Sequence, residues 1–203
     1  MSKHIERRAF AAELRVVREE GKKPVIRGHA AVFNALSEDL GGFRELIAPG
    51  AFKNAIPRDD VRALFNHDSN LILGRSRPGQ ANTLRMVEDD TGLAIEIDPP
   101  DTQYARDLMV SMERGDITQM SFGFSVTKGG QKWEENSDGT HKRTLTEVRL
   151  YDVSPVTFPA YPQTDVALRN LTEFKTETKA TEVPAAPRRD YERELLLREK
   201  SCR

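Results

Sequence analysis

The run Gln119-Met120-Ser121-Phe122-Gly123-Phe124-Ser125-Val126 leaves this chain the least freedom. Met120, Phe122, Phe124 and Val126 alternate with Gln119, Ser121, Gly123 and Ser125. Successive side chains of a strand point to opposite faces, so this period of two predicts a half-buried β-strand. The apolar side must enter a core. The opposite side carries only small or polar groups, so the Ser121 hydroxyl is expected to stand open to an approaching chain.

Around that strand the sequence reads as mainly β. Glu13–Val17 and Val25–Phe33 predict two strands with a turn at Glu19–Lys23. Glu45–Ile56 predicts a strand end and then a short helix that stops before Pro57. Val61–Asp68 starts as a strand and breaks into the polar cluster Asn66-His67-Asp68-Ser69-Asn70, and Leu71–Arg75 is a further strand. Thr83–Val87 and Leu93–Ile97 flank a glycine-containing turn, as in a hairpin. The clearest helix opens at Pro99-Pro100-Asp101. Asp101 or Thr102 is its cap, Tyr104, Ala105, Leu108, Met109 and Met112 recur at helical spacing, and Gly115 is the stop. Gly129–Thr140 predicts a hydrophilic hairpin loop. Lys142–Tyr151 is expected to return as one strand antiparallel to the serine strand, and Asp152–Pro162 is too rich in proline to continue as central sheet.

Both ends differ from this middle. Residues 1–11 are charged and predicted to be disordered. From Leu171 the chain turns to Lys, Glu, Thr, Pro and Ala with little apolar periodicity, which is linker composition. In that tail Tyr191–Arg198 is a short helix or docking segment. The 203 residues therefore divide into a frayed N-terminus, one domain over 12–170, and a charged tail over 171–203.

Composition removes several functions. Thirty-one Lys and Arg stand against 32 Asp and Glu, so no overall basic field recruits nucleic acid. No apolar run approaches the roughly 18 residues that cross a bilayer, and the N-terminus has no signal-peptide pattern. The one cysteine, Cys202, supports neither a disulfide framework nor a cysteine metal site. These features read as a soluble cytoplasmic protein without a metal or other cofactor.

Acyl-bond hydrolysis without a metal needs a hydroxyl or thiol, a base, and a group that orients the base. With the cysteine in the tail, serine is the candidate nucleophile. Of the four histidines, His4 lies in the frayed end, His141 in a solvent loop and His29 within a strand. His67 stands where an apolar strand breaks into polar residues, a place where sites are often mounted on a rigid sheet. Glu147 and Asp152 are both candidates for the orienting carboxylate. Glu147 interrupts Leu145-Glu147-Val148-Leu150 where an apolar residue or Thr fits better. Asp68 is set aside, because neighbours on an extended chain point opposite ways. There is no Gly-x-Ser-x-Gly elbow, no His-Glu-x-x-His helix and no phosphate loop.

Five segments, in order, are similar to the prohead maturation proteases of tailed bacteriophages of the HK97 type. They are Ile26–Asn34, Glu45–Phe52, Leu64–Asp68, Met120–Phe124 and Glu147–Pro162. The resemblance implies a serine endopeptidase with a fold like that of herpesvirus assembly proteases, a closed, mostly β barrel with surrounding helices. By position in those motifs, His67 is the general base, Ser121 the nucleophile and Glu147 the third member, with Asp152 as the alternative. The herpesvirus enzymes carry an arginine pair near the oxyanion, and none follows Glu147 here. Gly123 and Ser154 are the remaining candidates for substrate or oxyanion contacts. The resemblance further implies scaffolding segments of the major capsid protein as substrates, self-processing, homo-oligomers, and action inside the assembling procapsid in the host cytoplasm. The rival expectation is a capsid assembly or scaffolding protein that keeps the fold and binds without cutting.

Overall fold

The alternating strand lies in the interior of a sheet, with a neighbour on each side. A computed structural model describes residues 5–11, 14–158, 171, 172, 174 and 176. Met1–Asn170 and Leu171–Arg203 form two compact units. In the first unit the chain runs β1 (Glu6–Ala11), β2 (Leu14–Val17), β3 (Val25–Val32), β4 (Phe43–Ile47), α1 (Ala55–Arg58), β5 (Val61–Phe65) and β6 (Asp68–Ser76). It continues with β7 (Leu84–Glu88), β8 (Gly92–Ile97), α2 (Gln103–Glu113), β9 (Gln119–Val126), β10 (Gln131–Glu135), β11 (His141–Leu145) and β12 (Val148–Val156). The fold is mainly β with few helices, as the sequence predicts.

The strands form three sheets ordered β1-β9-β12-β5-β6, β2-β3-β8-β7 and β10-β11-β4, and among the described residues no closed barrel forms. The expected single strand over Lys142–Tyr151 breaks at Thr146 and Glu147. That break lets β11 leave the serine sheet and pair in parallel with β4, while β12 runs antiparallel to β9. Gln131–Glu135, expected within a loop, is β10 and pairs with β11.

Apolar faces of the sheets meet around Phe122, which is fully buried. Its ring stacks on Phe124 at 4.9 Å and Phe10 at 6.1 Å, and meets the edge of Phe52 at 5.5 Å. From the second sheet Ile26, Leu93, Ile95 and Ile97 enter the same core, and α2 adds Ala105, Leu108, Met109 and Met112. These four are among the residues that recur at helical spacing in the sequence. Gly115 ends α2 at φ +82°, with its N–H on Met112 O and the Asp116 N–H on Ser111 O. This pattern satisfies the last carbonyls of a helix.

Two prolines depart from expectation. Pro57 lies inside α1, in a first turn where a missing N–H leaves no helix bond unmade. Pro155 lies in β12, a central strand. The β12 ladder to β5 is confined to Asp152–Arg62 and Val153–Ala63, so at Pro155 that flank no longer asks for an N–H.

The N-terminal expectation is also corrected. Residues 6–11 are strand β1, paired along its whole length with β9. Its Glu6 and Arg8 are buried, joined to Glu45 of β4 and Arg143 of β11. His4 and the segment Tyr191–Arg198 lie outside the described residues.

Candidate active site

β9 presents Ser121 and Gly123 on the face opposite Phe122. Beside it, Ser154 of β12 is in register with Ser121, and Asp152 with Gly123. Cross-strand partners share a face, so all four residues stand together. What puts Asp152 there is a bulge: Leu150 opposes Phe124 and Asp152 opposes Gly123, leaving Tyr151 without a partner. Before the bulge Val148 and Leu150 face the core; after it Val153 does. One extra residue shifts the alternation from even to odd, and the carboxylate turns to the serine side.

His67 arrives from the strand pair on the far side of β12. β5 and β6 form a hairpin in which Phe65 pairs with Asp68, so Asn66 and His67 are its two loop residues. Both have positive φ, 53° and 59°. The type I′ loop, one of the two that match the twist of a sheet, has positive φ at both positions, and the second is usually glycine. A histidine there carries a steric cost, and such outliers gather at functional sites.

The imidazole bridges the two other groups. His67 Nε2 lies 2.7 Å from Ser121 Oγ, and His67 Nδ1 lies 2.5 Å from Asp152 Oδ2. With Nδ1–H donating to the carboxylate, Nε2 is left to accept from the serine hydroxyl. Ser154 Oγ donates to the same Asp152 oxygen at 2.8 Å and lies 3.4 Å from His67 Nδ1. Gly123 makes room for this arrangement, because a Cβ on it would stand 2.3 Å from Asp152 Oδ1. A hydroxyl, a base and an orienting carboxylate in this chain can carry nucleophilic acyl transfer.

Several sequence expectations change here. Glu147 is not beside His67: it sits between β11 and β12, and its carboxylate takes Asn54 Nδ2 at 3.3 Å and Arg58 Nη1 at 3.8 Å. Asp152 holds the place assigned first to Glu147. The Ser154 hydroxyl is committed to Asp152, and Gly123 clears space for that carboxylate. Ser121 is not open to solvent but wholly buried, with Ala9 of β1 opposite it in the ladder. His141 is buried at the start of β11, and His29 Nε2 lies 2.9 Å from Asp89 Oδ2. Asp68 accepts from the backbone N–H of Asn70, a local turn contact. Among the described residues no cluster of three or more His, Cys, Asp or Glu could hold a metal ion.

The caudovirus prohead serine protease family matches residues 11–179, most of the chain. The chain belongs to this family. It is similar to the prohead protease of Enterobacteria phage HK97, with 32% identity over 152 residues. That alignment covers 73% of this chain and 61% of the relative, so the chain spans less than two thirds of that protein's length. Its fold is similar to that of the bacteriophage T4 capsid assembly protease, at a TM-score of 0.52 and 11% identity. The overlap covers 78% of this chain and 100% of that one. For a prohead serine protease family member, the serine–histidine–carboxylate chain is the site to explain.

Proposed function

We propose that this chain is a serine endopeptidase of capsid maturation, with Ser121 as nucleophile, His67 as general base and Asp152 as the group that orients it. The observation that carries this reading is the imidazole held at 2.7 Å from one and 2.5 Å from the other. As Ser121 Oγ attacks the scissile carbonyl, its proton passes to His67 Nε2. Asp152 keeps the Nδ1–H tautomer and balances the imidazolium that forms. The imidazolium then protonates the leaving amine, and water, activated by the same nitrogen, releases the acyl group. Ser154 holds the Asp152 carboxylate during both halves.

The substrates in this reading are scaffolding segments of the major capsid protein and copies of the protease itself, cut inside the procapsid. A protein that only binds gives no reason to hold a histidine at positive φ between a serine and a carboxylate. Co-expression with capsid precursor tests the proposal. Wild type is expected to convert the precursor and Ser121→Ala to leave it intact; conversion undiminished by the substitution would overturn it.

A further inference from the structure

Resting on the site reading above, we infer that Asn66 is a positioning residue: its side chain sets where His67 stands relative to Asp152. The ladder between β5 and β12 stops short of the tip of the β5–β6 hairpin. The ladder between β5 and β12 covers Arg62–Asp152 and Ala63–Val153 only. Beyond Ala63 the β5–β6 pairing itself is irregular, with register shifts between Ala63 and Leu64 and between Leu64 and Phe65. His67 thus lies past the last regular pairing on both flanks, in a conformation a non-glycine residue does not favour.

Asn66 closes that gap with three hydrogen bonds to the end of β12. Its backbone N–H donates to Pro155 O at 3.0 Å, and its Nδ2 to Thr157 Oγ1 at 3.1 Å. Its Oδ1 accepts the Thr157 N–H at 2.9 Å. Asp152 and Ser154 belong to this same strand. The clamp therefore ties the turn bearing the base to the strand bearing its carboxylate, and the His67–Asp152 contact inherits its geometry from it. Asparagine suits the place twice over. It tolerates positive φ better than other side chains, and its amide offers a donor and an acceptor at once.

The test uses the full chain with Asn66→Ala, Asn66→Gly and Thr157→Val. Asn66→Gly is decisive, because glycine keeps the turn conformation and removes only the side-chain clamp. One readout is the far-downfield proton resonance of His67 Nδ1–H, assigned by its loss in Asp152→Asn. Both Asn66 variants are expected to broaden or lose it while their amide spectra stay dispersed. The second is labelling of Ser121 by a fluorophosphonate. The maximal labelling rate is expected to fall about 10- to 100-fold, as when a catalytic group is displaced by a fraction of an ångström to an ångström, with half-saturation little changed. Thr157→Val keeps the Thr157 N–H bond and is expected to lose less. Wild-type resonance and labelling in Asn66→Gly would overturn the inference. Labelling that persists in Ser121→Ala would instead overturn the choice of nucleophile, while the resonance still decides the role of Asn66.

Discussion

The Asp152 carboxylate fills the volume that a side chain on Gly123 would need. A methyl group there would lie 2.3 Å from Oδ1, and Asp152, buried between its neighbours, has little room to retreat. Gly123→Ala is therefore expected to push the carboxylate off His67 and cut turnover about 100-fold, an effect that displacements of an ångström produce. A variant that folds and retains wild-type turnover would remove Gly123 from the account. At this scale the sequence offered His67 and Ser121 as candidates through their surroundings, a polar break in one strand and a small-residue stripe on another, and the fold brings the two into contact. It left Glu147 and Asp152 unresolved, because choosing between them requires the phase of β12. Read with unbroken alternation from Val148 and Leu150, residue 152 faces the core. The return of an apolar residue at Val153, out of step by one, is the signal that a bulge has intervened.

Strand β1 shows what charge can hide. Read along the chain, Glu6-Arg7-Arg8 looks like a solvated end, yet Glu6 and Arg8 are buried and matched by partners 137 and 37 residues away. Arg143 donates to Glu6 at 2.7 Å and to Glu45 at 2.9 Å, while Arg8 donates to Glu45 and Glu6, both at 2.8 Å. No local pattern reveals a buried set of two acids and two bases drawn from three strands. Burial alone would raise the pKa of Glu6. The Arg143 hydrogen bond and the charges of Arg143 and Arg8 outweigh burial and hold it below its ordinary 4.5. A lowered value in the folded state means that stability from Glu6 is present above that ordinary value and is lost as acid protonates it. Glu6→Gln leaves buried guanidinium charge short of a partner and is expected to cost about 3–5 kcal/mol in urea unfolding near pH 7. Its stability should also fall less steeply than wild type's on acidification. Equal stability of the two proteins at both pH values would contradict this description of β1.

At the scale of the molecule, three sheets stand among the described residues in place of the single barrel that the family resemblance implied. By breaking at Thr146 and Glu147, the chain sends β11 to β4 and returns β12 to β9, so Glu147 falls at a junction and Asp152 falls on the serine's strand face. The mainly β class, α2 and the β7–β8 hairpin were legible because each is set by local periodicity. The grouping of strands into sheets was not, because it depends on pairings made across the full length of the domain. The assembled site is closed in this conformation: Ser121 is wholly buried, and a substrate carbonyl must come within about 3–3.5 Å of its oxygen. On the proposed reading, cleavage requires Ser121 to become accessible while the His67–Asp152 contact persists. The most direct measurement is the rate of capsid-precursor cleavage by Asp152→Asn beside Glu147→Gln. The account predicts a loss of about 10⁴-fold for the first, as for the carboxylate of other serine–histidine pairs, and a change of a few-fold at most for the second, whose ion pair is exposed. Near-normal cleavage by Asp152→Asn together with a collapse in Glu147→Gln would contradict it.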